Sequence, residues 1–219
     1  MKQVFDIVSA GGASGAYHHG NVPGALQSAA RDLLEKGEDV GLRELSRRIG
    51  VSSTAVYRHY ASKDDLLASV AASGFRQLVG EIEAAANASA DTKLAAGLAY
   101  VDFALDNPGL FALMFGRCLA QRHQFPALRK AADQTFEALE RFGLTDGPRR
   151  RPTAWGEQRL GPWCYLHGLS QLSTAKLASK GAVRRLALTY LSAEPDTAAD
   201  RPVLTIEVSP ACETQWTVA

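Results

Sequence analysis

The segment of residues 50–63 restricts the fold of this chain more than any other part of the sequence. It reads Gly-Val-Ser-Ser-Thr-Ala-Val-Tyr-Arg-His-Tyr-Ala-Ser-Lys, and its serines can cap one helix near its start and a second near its end. Upstream, Leu42 and Leu45 recur at helical spacing, and Gly50 stands where a helix can end in the left-handed conformation. We therefore predict two short helices joined by a tight turn and followed at once by a third.

Two short helices that meet across such a turn form a helix-turn-helix, whose second helix enters the major groove of DNA. Small residues at its front allow close approach to base edges, and the larger polar side chains that follow suit phosphate oxygens. Lys63 begins the next helix, so its ammonium and the free backbone N–H groups can share one phosphate. The residues expected to contact DNA are Arg43, Ser52, Ser53, Thr54, Ala55, Tyr57, Arg58, His59 and Lys63.

The charge along this segment is locally positive. From Arg43 to Lys63 there are five basic residues and one acid, although the formal net charge of the chain is only +1. This distribution favours one docking face on duplex DNA over a protein that coats nucleic acid nonspecifically. The alternative is that Arg43, Arg47 and Arg48 form an ordinary solvated helix face.

These residues resemble the N-terminal domain of the TetR family of bacterial transcriptional regulators. The runs that carry the resemblance are residues 17–21, 29–37, 42–60 and 62–67. The resemblance implies a recognition helix containing Tyr57, an aromatic at Tyr60 and a lysine that begins the fourth helix at Lys63. Two departures stand out: residues 22–24, Val-Pro-Gly, occupy the usual start of the first helix, and the arm before Tyr17 is not basic. An N-terminal arm in the minor groove is therefore not expected.

Residues 100–116 and 163–169 resemble the C-terminal domain of the same family, which is marked by a Trp…His-Gly signature. The resemblance implies an effector cavity and a dimer interface, a four-helix bundle made by the last two helices of each subunit. Aromatic and methionine side chains give adaptable apolar walls, although each is alternatively a plain core residue. The pocket candidates are Phe103, Phe111, Met114, Phe115, Trp163 and Tyr165.

Small residues alternate with leucine along residues 166–177, which permits close approach of a second helix around a two-fold axis. Gly168 is costly inside a helix unless another element packs against it. His167 is interpreted as an interface or core histidine, with a titrating sensor as the alternative. The interface candidates are His167, Gly168, Gln171 and Leu172.

The predicted fold class is all-α: an N-terminal three-helix helix-turn-helix domain, a long joining helix, and a C-terminal helical ligand-binding and dimerisation domain. The helices expected after the third are residues 63–86, 91–105, 108–119, 126–142, a segment ending near 180, and 182–191. The expected domains are a flexible leader (1–16), the DNA-binding domain (17–62), the effector and dimerisation domain (63–192), and a disordered tail (193–219). The strand-like run 203–208 lies in that tail.

Other classes of protein find little support. The 46% of hydrophobic residues supplies a real core, yet no segment reaches membrane-spanning length. Three cysteines without a close pair favour a reducing cytoplasm. The glycine-rich run 11–15 lacks the lysine and the strand-to-helix context of a phosphate loop. Because no nucleophile elbow, metal-ligand spacing or dinucleotide fingerprint occurs, we expect no catalysis, no metal and no cofactor.

The sequence therefore predicts a cytoplasmic, homodimeric, one-component transcriptional regulator. It is expected to act as a repressor that binds a palindromic operator in double-stranded DNA and leaves it when a small-molecule effector binds. The alternative is a DNA-binding protein of the same fold without an effector, such as a nucleoid or cell-division factor. A solid C-terminal core would favour that alternative.

Overall fold

The structure, a computed structural model, describes residues 21–145 and 161–193. Throughout these ranges every regular element is a helix, so the predicted all-α class is confirmed. The helices are α1 (Val22–Glu35), α2 (Leu42–Arg48), α3 (Ser53–Tyr57), α4 (Lys63–Asn87), α5 (Thr92–Asp106), α6 (Pro108–Phe115), α7 (Arg117–Ala120), α8 (Pro126–Arg141), α9 (Gly161–Thr174) and α10 (Lys180–Ser192). A 3₁₀ turn, Arg122–Gln124, precedes α8. The predicted leader, the strand-like run and all but the first residue of the predicted tail lie outside the described ranges.

The unusual Val-Pro-Gly run is part of the start of α1. The Asn21 side chain accepts a hydrogen bond from the backbone N–H of Gly24 at 2.9 Å, and Pro23 occupies the first turn, where its missing N–H costs nothing. Leu26, Ala30 and Leu33 are buried along one face of this helix. The departure from the family pattern therefore forms a capped helix start.

The long helix α4 connects the two halves of the chain. Its 25 residues span about 37 Å at the rise of an α-helix, and it packs against α1 near its start and against α5, α6 and α8 further along. A buried apolar stripe runs its length, formed by Leu66, Val70, Phe75, Leu78 and Ile82. The helix can therefore transmit movement between the two halves.

The single helix predicted over residues 108–119 is wrong. Helix α6 ends at Phe115, and α7 begins at Arg117 after a break at Gly116. A Cβ atom on Gly116 would lie 2.7 Å from the Ala112 carbonyl oxygen, so the chain bends at a residue that has none. The apolar pattern on both sides of the break hid this bend, because both pieces are buried in the same core.

Candidate nucleic-acid interface

The turn between α2 and α3 has the tight geometry that the sequence predicts. Gly50 has a φ of +71°, a conformation that a Cβ atom disfavours, and the N–H of Val51 donates to the carbonyl of Ser46 at 2.9 Å. Leu45 of α2 and Val56 of α3 are both fully buried on the inner side of the turn. The opposite side of α3 is left to solvent.

Helix α3 exposes most of the residues expected to contact DNA. Ser52 caps the helix by accepting from the N–H of Ala55 at 3.2 Å, and Ala55 itself is half-buried. Tyr57 has 53% of its surface exposed, which is unusual for a large aromatic side chain. The remaining exposed candidates here are Ser52, Ser53, Thr54, Arg58 and His59.

Ser53 is less free than its exposure indicates. The Ser46 hydroxyl donates to the carbonyl of Arg43 at 2.8 Å and lies 3.5 Å from the Ser53 hydroxyl. Because the Ser46 hydroxyl hydrogen is already donated to Arg43, Ser46 can only accept a hydrogen bond from Ser53. Ser53 is therefore positioned to hold α3 against α2, which leaves Thr54 as the freer hydroxyl at the front of the helix.

Tyr60 fixes the far end of the helix-turn-helix to the rest of the domain. Its ring is buried, and its hydroxyl accepts from the Gln27 side chain at 3.1 Å. Gln27 also donates to Ser69 of α4 at 2.7 Å. Helix α1 and helix α4 thus hold the residue that ends the recognition segment.

The start of α4 has the predicted capped geometry. The Ser62 hydroxyl accepts from the N–H of Asp65 at 3.1 Å, and the Asp65 carboxylate accepts from the N–H of Ala61 at 3.1 Å. This reciprocal arrangement stabilises the first turn of α4. Lys63 is consequently held beside α3 with its backbone in a defined position.

The cationic surface, the exposed side chains of residues 38–63, is more nearly neutral than the sequence indicates. Lys63 Nζ lies 2.6 Å from the Asp39 carboxylate. Arg47 and Arg48 lie 2.7 Å and 3.0 Å from Glu44, and Arg48 also lies 3.3 Å from Glu38. Glu38 and Asp39 precede residues 43–63, whose charges were counted from the sequence. The fold brings both carboxylates onto the same surface.

These ion pairs also change the pKa values of the carboxylates. A hydrogen bond from Lys63, and its charge, lower the pKa of Asp39 below its ordinary value of 3.8. Hydrogen bonds from Arg47 and Arg48 lower the pKa of Glu44 below 4.5. Asp39 and Glu44 are therefore ionised at neutral pH.

Arg43 and Arg58 differ from the other cations of this surface. Both are exposed, and neither forms an ion pair with any residue in the ranges that the structure describes. Arg43 lies in the first turn of α2, and Arg58 lies at the end of α3. These two guanidinium groups are available to phosphates without breaking an existing ion pair.

In the second half of the chain, an aromatic cluster surrounds His167. Its ring lies 4.8 Å from that of Phe115, 5.1 Å from that of Trp163 and 5.3 Å from that of Phe111. Phe111 and Phe115 are 4.7 Å apart, so the rings close on one another. Three of the six pocket candidates, Phe111, Phe115 and Trp163, therefore meet at one place.

The other pocket candidates lie elsewhere. Phe103 is buried in α5, and the sulfur of Met114 faces α4, where it would be 2.5 Å from a Cβ atom on Gly74. Tyr165 stacks on Tyr190 of α10 with ring centroids 4.0 Å apart. Residues 163 and 165 are about 200° apart around a helix, so Tyr165 cannot join Trp163 in the cluster.

The cluster contains a chain of polar groups. Trp163 Nε1 donates to the Tyr100 hydroxyl at 3.1 Å, and that hydroxyl lies 2.8 Å from His167 Nδ1. Because the indole nitrogen can only donate, the Tyr100 hydroxyl accepts from it, and the direction of its bond with His167 follows the tautomer of the ring. His167 Nε2 lies 3.2 Å from the Gln171 amide nitrogen.

This environment acts on the ionisation of two of its members. Burial lowers the pKa of His167 below its ordinary value of 6.5 and raises the pKa of Tyr100 well above 10.0. Both side chains are therefore neutral at neutral pH. His167 lies on the inner face of α9, since residues 163 and 167 are one turn apart, and this position agrees with the interpretation of a core histidine.

The remaining interface candidates do not share one face of α9. Gly168 is exposed, with no atom within 4 Å of a Cβ placed on it, and Leu172 is half-buried. Gln171 is half-buried and turns its amide toward His167. On the neighbouring helix α10, Leu188 has 41% of its surface exposed.

The end of α1 is joined directly to the start of α6. The Glu35 carboxylate accepts from the backbone N–H groups of Gly109 and Leu110, both at 2.9 Å. Arg31 donates to Gln77 at 2.8 Å and to Asn107 at the start of α6. We call this contact between the end of α1 and the start of α6 the seam. The sequence carried no sign of it, because Glu35 lies more than seventy positions before Gly109 and Leu110 along the chain.

The described ranges also contain a polar surface concavity of about 550 Å³ along α8. It is open to solvent and lies apart from the aromatic cluster. Its lining residues are His123, Pro126, Arg129, Lys130, Asp133, Gln134 and Glu137.

The exposed α3, the tight turn before it and the helical second half define a helix-turn-helix protein with a further helical domain. The family model "Bacterial regulatory proteins, tetR family" matches residues 26–70, and the model "Tetracyclin repressor-like, C-terminal domain" matches residues 94–202. The chain belongs to the TetR family of bacterial transcriptional regulators.

Individual relatives agree with the family. The chain is 30% identical over 107 residues to the HTH-type transcriptional regulator Rv1816 of Mycobacterium tuberculosis and to Mb1846 of Mycobacterium bovis. Each match covers 46% of this chain and 46% of the relative, so the chain spans about half the length of these curated relatives.

Two solved structures are similar. A protein of unknown function from Rhodococcus sp. RHA1 has a TM-score of 0.62 and 26% identity, covering 81% of this chain and 96% of that one. The putative regulatory protein SCO4313 has a TM-score of 0.58 and 20% identity over 78% of this chain and 95% of that one, which supports the fold. Among the described residues, no helix is both long and apolar enough to span a membrane.

Proposed function

We propose that this protein is a homodimeric transcriptional repressor that binds a palindromic operator through α3 and leaves it when a small molecule binds the C-terminal half. The observation that carries the proposal is the exposed face of α3, where Thr54, Tyr57 and Arg58 are open to solvent, and Arg58 has no ion pair among the described residues. A large aromatic exposed among cations suits a phosphate backbone more than a protein core. Because the proposed protein acts on chromosomal DNA, its place is the cytoplasm.

Roles follow from position on this surface. Thr54 and Ala55 at the front of α3 are proposed to read base edges, through the hydroxyl and methyl groups. Tyr57, Arg43, Arg58, His59 and Lys63 are proposed to contact phosphates and fix the register. Ser52 and Ser53 shape the helix start that makes this approach possible.

The outer faces of α9 and α10 are proposed as the dimer interface. The open space above Gly168 on α9 and the exposed Leu188 on α10 are the surface features that these two helices offer to a partner. Glycine in mid-helix is costly, and a partner helix that approaches closely there offsets the cost. A two-fold axis at this face pairs the recognition helices with half-sites about one turn of DNA or slightly more apart.

The aromatic cluster is proposed as the effector site. Phe111 and Phe115 of α6 contribute to it, and the other end of the same helix is capped by Glu35 of α1. A ligand that parts these rings would move α6 and thereby the DNA-binding half. It can shift the equilibrium only by the difference in its affinity for the two arrangements.

A repressor without an effector is the second candidate. The mutual packing of Phe111, Phe115, Trp163 and His167 favours it, since these rings already satisfy one another. A thermal-shift screen of small apolar compounds distinguishes the two candidates. Compounds that raise the melting temperature and release bound DNA favour the effector, and the variant Phe111→Ala is expected to weaken both responses.

The main test is selection of bound duplexes from a randomised pool by the purified full-length protein. The expected result is an inverted repeat, with a footprint that matches one dimer per site. Placing the selected site over a promoter in a transcription assay then reports repression. Selection that yields no enriched sequence, or a site without two-fold symmetry, argues against the proposal.

A further inference from the structure

The cation expected to hold a phosphate at the start of α4 already has an anionic partner in the free protein. Lys63 Nζ and Asp39 Oδ1 are 2.6 Å apart, and the Asp39 carboxylate is 87% exposed on the surface that would face DNA. We propose that Asp39 competes with DNA phosphates for Lys63 and thereby weakens binding to operator and non-operator DNA alike. This inference rests on the proposed DNA-binding role of the surface.

The position of Asp39 is set by the fold. It lies in the link between α1 and α2, and the next residue, Val40, is buried with 2% of its surface exposed. The start of α4 is equally fixed by its Ser62 cap. Both groups of the pair are therefore held beside each other by rigid backbone, so the carboxylate stays near Lys63 as DNA approaches.

Operator and non-operator DNA differ in what they offer in exchange for this pair. Nonspecific binding consists of phosphate contacts alone, and each contact releases counterions from the DNA. A phosphate that must first separate Lys63 from Asp39 gains little, so we expect Lys63 to stay with Asp39 on random DNA. On the operator, base contacts from α3 fix a phosphate beside α4, and the exchange becomes favourable.

Lys63 differs from Arg43 and Arg58 in this respect. Those two guanidinium groups have no ion pair to break within the described ranges, and they can serve operator and random DNA equally. Asp39 thus acts on DNA affinity through Lys63, as a positioning residue. Its cost is largest where Lys63 leaves it, which is on the operator.

The test compares Asp39→Asn with Glu83→Gln in the full-length protein. Glu83 pairs with Arg141 at 2.7 Å, so both variants break an exposed ion pair and raise the net charge by one. Glu83 lies about 30 Å further along α4, away from the proposed DNA contacts. Binding to the selected operator and to a random duplex of equal length is measured at several salt concentrations.

The expected result for Asp39→Asn is roughly a 3- to 10-fold gain in affinity for the random duplex and a salt slope steeper by about 0.9 per subunit. On the operator its salt slope should match that of the wild type, and its affinity should rise at least as much as on the random duplex, because the wild type must separate the pair there. Glu83→Gln should match the wild type on both duplexes. Asp39→Glu should restore wild-type binding to both.

Two outcomes overturn the inference. The first is random-duplex binding by Asp39→Asn that equals that of Glu83→Gln. The second is a gain from Asp39→Asn that persists in a Lys63→Met background, which would show that the carboxylate repels DNA directly. Wild-type protein that binds no duplex refutes the proposed function instead, so the two failures are distinguishable.

Discussion

Thr54 and Tyr57 are both exposed on α3 but differ in what they can recognise. Thr54 stands in the first turn of the helix, where a small side chain can approach a base edge. Tyr57 stands one turn later and has a ring large enough to span to the backbone of the duplex. The two residues are thus expected to have different roles: Thr54 recognises the base sequence, and Tyr57 positions the protein on the DNA.

Removing one polar group from each of these residues tests this division. Tyr57→Phe should weaken binding to operator and random duplexes alike by about 0.5–1.5 kcal/mol, because it loses one hydrogen bond to a phosphate. Thr54→Ala should weaken operator binding by about 1 kcal/mol, at the low end of a base contact, and leave random-duplex binding unchanged. Fluorescence anisotropy measures both, and an unchanged selection profile for Thr54→Ala would contradict base reading.

His167 should make the stability of the protein depend on pH. Burial lowers its pKa in the folded state below 6.5, so below that pH the unfolded state binds more protons than the folded state. The free energy of unfolding should therefore decrease as the pH falls from about 6.5 toward the folded-state pKa.

Urea denaturation of the wild type and of His167→Gln between pH 7.5 and 5.0 measures this effect. The variant should lose that part of the pH dependence, even if its stability at pH 7.5 is lower. The paired carboxylates do not interfere, because the pKa values of Asp39 and Glu44 lie below 3.8 and 4.5. A decrease of equal size in both proteins would assign the effect to another group.

Helix α6 has a different neighbour at each end. Its first N–H groups donate to Glu35 of α1, and its later residues Phe111 and Phe115 pack around His167. A charged carboxylate on two N–H groups at a helix start is a strong hydrogen-bonding arrangement. The helix is therefore suited to connect the aromatic cluster with the DNA-binding half, in addition to α4.

Gly109→Ala tests this connection. A Cβ atom at Gly109 would clash with the Leu34 carbonyl oxygen, so α1 and α6 must separate. We expect a loss of about 1–3 kcal/mol in unfolding free energy and weaker operator binding in the absence of any effector.

The matched control is Gly80→Ala on α4, where nothing lies within 4 Å of the added atom. It should stabilise the protein by about 0.5–1 kcal/mol, because alanine is preferred over glycine inside a helix. If Gly109→Ala keeps wild-type stability and operator affinity, the contact between α1 and α6 tolerates the added Cβ atom and is not connected to DNA binding.

The complete protein is expected to work as a dimer, because two half-sites are read together. The faces proposed to pair are those of α9 and α10 that carry Gly168 and Leu188. The proposed dimer would hold two copies of α3 at a fixed separation, so operator affinity would depend on an interface far from the DNA.

Leu188→Glu should dissociate the dimer without unfolding the subunit. The side chain is 41% exposed in a single chain, so the charge is tolerated there, but in the dimer it would be buried without a partner. We expect the dimer dissociation constant to rise by about 100-fold or more, the effect of an unpaired buried charge. Sedimentation equilibrium measures it, and Gln134→Glu on the exposed face of α8 is the control of equal charge. If Leu188→Glu and Gln134→Glu sediment alike, Leu188 is not part of the dimer interface.

The helix-turn-helix and the family could be predicted from the sequence because their signals are local. Gly50, the caps at Ser52 and Ser62, and the spacing of Leu45 and Val56 act over one or two helical turns. Backbone hydrogen bonds and side-chain periodicity over such distances depend on neighbouring residues alone. The start of α4 at Lys63 was predictable for the same reason.

The break at Gly116 and the direction of His167 were not predictable in the same way. Both depend on which neighbouring helices fill the core, and an apolar run reads alike whether the helix continues or bends. Trp163 and Tyr165 were both expected to line the pocket, but they lie on different sides of α9, and only packing shows which side is inside.

The local chemistry of residues 50–63 was enough to specify a DNA-binding turn and its capped helices. Folding of the complete chain was needed to bring together the pairs that modify it. Asp39 meets Lys63 across 24 positions, Glu35 meets Gly109 across 74, and Tyr100 meets His167 across 67. Charge and hydrogen bonding act through space, so the net charge of the DNA-binding surface and the seam behind it depend on where the helices pack.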